Sequence, residues 1–161
     1  IRLYSKKIVN DLINKNIDKD KTYSKKFPIV EDKLFIHFLR GYFDGDGCIF
    51  IAKSKNVIHY DITSANKDIL EYIHKKMYEE YGISSYITKE EPKLGGTVPT
   101  YKICFKGMTN GFKFGTLIYD NATIYLERKK NLFDIKSIEL DIENRINKKG
   151  RIGTRYDCLS S

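Results

Sequence analysis

The sequence predicts an α+β fold: a four-stranded antiparallel saddle sheet with its helices on one face, in the order α-α-β-β-α-β-β-α-α. Three observations predict it. Apolar residues recur at helical spacing near both ends of the chain; the period switches twice to strict alternation, each time over a pair of short segments; and one helix-like stretch separates the pairs. At 161 residues with 41% hydrophobic content, the chain is the size of one domain and can bury a single core without disulfides or metal.

The elements follow in order. Ser5 to Asn16 opens on an N-cap serine and places Ile8, Val9, Leu12 and Ile13 on one side of a short amphipathic helix. A polar, lysine-rich loop runs from Asn16 to Lys26 and closes at Phe27-Pro28. Glu31 to Phe43 then carries a helical stripe of Leu34, Phe35, Phe38, Leu39 and Tyr42, which is expected to stop at the Asp44-Gly45-Asp46-Gly47 run. Cys48 to Lys53 and Val57 to Thr63 read as a hairpin, with Ile58, Tyr60 and Ile62 on the core side and His59, Asp61 and Thr63 on the wet side. Ser64 or Asn66 caps the next helix, Lys67 to Tyr81, and Gly82 stops it. Ser84 to Glu91 and Thr100 to Gly107 form a second hairpin, in which Lys102, Cys104 and Lys106 alternate with Tyr101, Ile103 and Phe105. A helix to Tyr119, a turn at Asp120-Asn121, a long helix from Tyr125 to about Asn147 and a basic tail complete the chain.

Charge and cysteine content narrow the function classes. Lys plus Arg outnumber Asp plus Glu by 29 to 21, a net charge of +8, which attracts polyanions and makes nucleic acid the leading partner. A lysine-dominated surface also arises from compositional bias alone, and only six of the cations are Arg. Cys48, Cys104 and Cys158 are odd in number and far apart, so a disulfide framework is excluded, a zinc site is not expected, and a reducing cytosol is the default compartment. No apolar run approaches the ~20 residues that cross a bilayer, so no membrane partner is expected.

The most informative stretch is Leu39-Arg40-Gly41-Tyr42-Phe43-Asp44-Gly45-Asp46-Gly47. Two carboxylates end an apolar helix, where the helix dipole already places partial negative charge, and that combination calls for a cation or a capping arrangement. An isolated Asp-Gly-Asp-Gly run is also an ordinary helix-ending turn. A calcium loop of the EF-hand type does not fit, because Cys48 to Lys53 supplies neither a second ligand pair nor the closing glutamate. Gly41 leaves space where a neighbouring helix could approach.

This stretch resembles the LAGLIDADG motif of the homing endonuclease family, and the order helix, hairpin, helix, hairpin, closing helices resembles that family's half-domain across Phe35 to Lys136. The resemblance implies a magnesium-dependent, site-specific double-strand DNA endonuclease of a mobile element, encoded in intron or intein contexts. No terminal His-Asn pair appears, so an intein is not expected here. It implies that Asp46, with Gly45 beside it, holds Mg2+ against the scissile phosphate, and that Asp44 supports the helix end. Leu39, Gly41 and Tyr42 would line the seam between two motif helices. A basic residue at the start of a late helix is implied as well; Tyr125-Leu126-Glu127-Arg128-Lys129-Lys130 makes Lys129 the candidate and Arg128 the alternate. The polar residue that ends the second strand in the family falls at about Ser64 instead of the often-seen glutamine.

Alternation places Phe50, His59, Asp61, Thr63, Thr88, Lys102 and Lys106 on the face that would read double-stranded DNA, and Lys53, at the end of the first strand, is a further candidate contact. One acidic motif serves one strand, so a second half-domain is required, either a homodimer partner or an upstream repeat. Residues 1–30 are accordingly expected to be an N-terminal extension or the tail of a preceding half-domain, 31–147 the endonuclease domain and 148–161 a basic tail. The alternative is a nucleic-acid-binding module of the same fold without cleavage, of the maturase type. The expected location is the cytoplasm, an organelle or a phage-infected cell.

Overall fold

The computed structural model describes residues 4–17, 28–52, 57–92 and 98–135. Candidate Lys53, the later part of the long closing helix and the C-terminal tail lie outside the described residues. The chain divides into two compact units between Tyr125 and Leu126.

The first unit has the expected order: α1 (Lys6–Asn14), a 3-10 turn (Asp32–Leu34), α2 (Phe35–Asp46), β1 (Gly47–Ala52), β2 (Val57–Ser64), α3 (Lys67–Tyr81), β3 (Tyr86–Glu90), β4 (Thr100–Lys106) and α4 (Met108–Tyr119). The strands form one antiparallel sheet in the order β1-β2-β4-β3. Each hairpin pairs with itself, and β2 and β4 join the two at the centre.

Caps fix the helix ends. Ser5 accepts from the Ile8 amide. Asn66 caps α3 by accepting from Asp68 and Ile69, and Ser64 in turn accepts from the Asn66 amide at 3.1 Å. Both candidate caps for α3 therefore take part, in series. Gly82 ends α3 in the left-handed region at φ 61°, which glycine adopts without steric penalty.

Ile58, Tyr60 and Ile62 of β2 and Ile103 and Phe105 of β4 are buried beneath the helices. Phe35, Leu39 and Phe43 descend from α2; Leu70, Ile73 and Met77 from α3; Phe114, Ile118 and Tyr119 from α4. An aromatic cluster ties these layers: Phe43 lies 5.7 Å from Tyr60 and 5.6 Å from Phe114, and Phe114 stacks on Phe105 at 4.0 Å. Helix α4 reaches the sheet through Gly111, where a Cβ would sit 2.6 Å from the Ile58 carbonyl oxygen. At one edge, the buried Lys76 ammonium binds Asp32 and Glu80, each at 2.6 Å, and lies over the Phe35 ring, pinning the 3-10 turn to α3.

Two differences from the sequence expectation concern α2. It begins at Phe35 after a 3-10 turn, and it runs through Asp44 and Gly45 to Asp46 instead of stopping at Phe43. The two acids therefore stand on the last helical turn. The exit at Gly47 uses an ordinary extended backbone, φ −84°; glycine is needed there for space, because a Cβ would lie 2.3 Å from the Phe43 ring.

Candidate nuclease site and nucleic-acid face

Helix α2 carries two working faces. Phe35, Leu39 and Phe43, one helical repeat apart, are fully buried in the chain's own core. Leu39 therefore does not lie on a free seam, which corrects the expectation that it lines one: its side chain is consumed by the sheet beneath it. Phe38, Gly41, Tyr42 and Gly45 occupy the adjoining face. Phe38 and Tyr42 stack at 5.9 Å, and among the described residues neither Gly41 nor Gly45 would bring a Cβ within 4 Å of an atom beyond its own helix backbone and chain neighbours. Glycine in an exposed helix interior costs about 1 kcal/mol relative to alanine, and among the described residues no close contact repays it.

The two motif acids have different surroundings. Asp44 is partly buried, and its Oδ1 accepts from the hydroxyl of Tyr119 at 2.8 Å. Asp46 is exposed at the helix C-terminus and, among the described residues, forms no ion pair. Next to it stands a residue assigned from sequence only to a helix seam. Burial pushes the Tyr42 phenol above its usual range, a hydrogen bond with Ser64 opposes that shift, and the Asp46 carboxylate adds to it. Tyr42, Ser64 and Asp46 are thus gathered at one end of α2, where β2 ends. Tyr42 sits one turn before Asp46, a helical spacing that would have flagged the pair.

Among the described residues no three His, Cys, Asp or Glu side chains assemble as a metal cluster. The donors present are one exposed carboxylate and the adjacent Gly45 carbonyl. Such a set fits Mg2+, which keeps several waters and takes one or two carboxylates, and does not fit a dedicated all-protein cage.

The second unit is described by itself. Residues 127–135 are helical, with Lys130 paired to Asp134 at 2.6 Å. Lys129 is 1% exposed and Arg128 is exposed.

The sheet face opposite the helices holds the remaining candidates in three cross-strand rows. Phe50, His59 and Lys106 form the first; Cys48, Asp61, Cys104 and Tyr86 the second; Thr63, Lys102 and Thr88 the third. Phe50, 44% exposed, stacks on His59 with centroids 4.6 Å apart. Lys106 lies over the Tyr86 ring at 4.5 Å. Lys102 is bound to Glu90 at 2.5 Å, which holds its ammonium above the usual range, so its charge is already partly matched. Cys104, on this same face, is only 6% exposed, and burial with hydrogen bonding to Asp61 raises its thiol to about 11. The periodicity placed these side chains correctly but missed Tyr86 and Glu90, whose role depends on the pairing of β3 with β4.

No helix among the described residues is long and apolar enough to cross a membrane. The family model of the LAGLIDADG-like domain matches residues 36–129. No curated protein and no solved structure matches the chain at a significant level. The match spans α2, the whole sheet, α3, α4 and the start of the following helix, and domains of this kind bind DNA and work in pairs: the chain belongs to the LAGLIDADG family.

Proposed function

We propose that the chain is one half of a site-specific, magnesium-dependent homing endonuclease that cuts both strands of a duplex. The observation that carries this reading is the exposed Asp46 carboxylate on the last turn of a helix whose glycine face is open. A carboxylate at that end of a helix is unfavourable without a cation, and helix glycines without close contacts are unfavourable without a partner helix.

Phosphodiester hydrolysis requires an activated water, neutralisation of charge on the phosphoryl group and stabilisation of the leaving 3′-oxygen. A bound divalent cation lowers the pKa of water and offsets phosphoryl charge. Asp46, with the Gly45 carbonyl, is the group to hold it. Asp44 shapes the helix end. The hydroxyls of Tyr42 and Ser64 are the neutral hydrogen-bonding groups available to order water beside Asp46. Lys129, with Arg128 as alternate, is the proposed basic residue for charge developing in the transition state. Phe50, Lys53, His59, Asp61, Thr63, Thr88, Lys102 and Lys106 are the proposed contacts to double-stranded DNA. Gly41 and Tyr42 face a second half-domain, supplied by another copy or by an upstream repeat.

The test is cleavage of a randomised duplex library with Mg2+, by the protein and by Asp46→Asn. Cutting by the first alone supports the nuclease. Enrichment of bound duplexes with no cutting by either assigns the chain to the non-cleaving, maturase-type module. Neither binding nor cutting defeats both readings.

A further inference from the structure

The central row of the open sheet face carries a carboxylate, although the chain is basic. Asp61 lies on β2, a central strand, between Cys48 on one side and Cys104 on the other. Its Oδ1 is buried without a hydrogen-bond partner, and among the described residues Asp61 forms no salt bridge. Lys102, in the next row, feels the Asp61 charge but forms its ion pair with Glu90. Leaving a carboxylate oxygen buried and unpaired is costly, and the hydrogen-bond donor that the described residues place beside it is a thiol, a weak one.

A carboxylate is repelled by a phosphate, so where this face lies on a duplex the half-buried Asp61, by turning its carboxylate outward, is matched to a donor on a base edge. The major groove offers two, the amino groups of cytosine and adenine. Adenine presents its N7 acceptor beside the amino group, which repels a carboxylate; cytosine presents the amino group alone. We propose that Asp61 is a specificity-determining residue that fixes one cytosine in the DNA target by accepting from its N4 amino group. This rests on the reading of the sheet as the nucleic-acid face, and it adds the identity of one base.

The experiment selects bound duplexes from a randomised library with the full chain, with Asp61→Asn and with Asp61→Ala, after thermal melts confirm that the variants fold. The asparagine side chain both donates and accepts, the pattern that pairs with adenine N6 and N7. The wild type is expected to recover cytosine at one position, Asp61→Asn to recover adenine there with the other positions unchanged, and Asp61→Ala to show no preference at that position. Replacing that cytosine should weaken wild-type binding roughly 5- to 150-fold. Identical base profiles for all three proteins overturn the inference while leaving sequence-selective binding intact. Absence of any enriched sequence with the wild type defeats the nucleic-acid reading itself.

Discussion

The hydroxyl of Tyr119, at the end of α4, donates to Oδ1 of Asp44, near the end of α2, at 2.8 Å. This bond separates the two acids of the motif: one is tied into the fold and the other is left exposed. Tyr119 is 1% exposed, so the bond is made inside the fold at its phenol end. Asp44→Ala should destabilise the chain by about 0.5–3 kcal/mol through loss of the bond from Tyr119. Asp46→Asn should raise the metal-free melting temperature slightly, by up to about 1 kcal/mol of stability, because it removes a charge that opposes the helix dipole, and should reduce cleavage by at least about 100-fold. Thermal denaturation and a Mg2+-dependent cleavage assay on the two variants check the division.

The glycines give a second pair of opposite outcomes. Gly41 faces open space, so Gly41→Ala should preserve or raise the stability of the chain by up to about 1 kcal/mol while weakening assembly with a second half-domain. Gly111 faces the Ile58 carbonyl at 2.6 Å, so Gly111→Ala should cost about 1–3 kcal/mol by pushing α4 off the sheet. Melting curves and sedimentation equilibrium read both effects.

What was legible in the sequence followed chain-local rules. Alternation gave the faces of β2 and β4, Gly82 gave the end of α3, and the Leu39 to Gly47 motif gave the family. What was not legible depends on residues distant in sequence. The Tyr119–Asp44 bond spans 75 positions, and it lies against the turn of α2 that local rules would have ended at Phe43. The adjacency of Lys102 and Glu90 follows from the register of β3 on β4, which the alternation within either strand does not determine. Leu39 was misplaced on the seam because the motif marks it as apolar without saying which of two packed faces it serves.

Alkaline pH should weaken the fold through Cys104. Its thiol is raised from 9.0 to about 11, so between those values the unfolded chain loses the proton that the folded chain keeps. Folding then becomes less favourable as pH rises, and the contribution is fully present below pH 9. Raised lysines such as Lys102 lose stability in the same direction, so the measurement must be a difference. Denaturant midpoints at pH 8 and pH 11 should fall further for the wild type than for Cys104→Ala, by at most about 2–3 kcal/mol. Equal losses would remove Cys104 as a contributor.

Tyr42 and Ser64 should act as one unit beside Asp46. Burial raises the phenol, and the nearby carboxylate raises it further, so Tyr42 is neutral at neutral pH and keeps a proton to donate. Tyr42→Phe removes that donor while keeping the ring that stacks on Phe38. Ser64→Ala removes its hydrogen-bond partner. Each substitution should slow single-turnover cleavage by about 10-fold without changing duplex affinity, and the double variant should be little worse than either alone, because the hydroxyls share one network. Additive losses in the cycle would mean that the two hydroxyls act separately; a loss of affinity matching the loss of rate would place Tyr42 in the pairing seam alone.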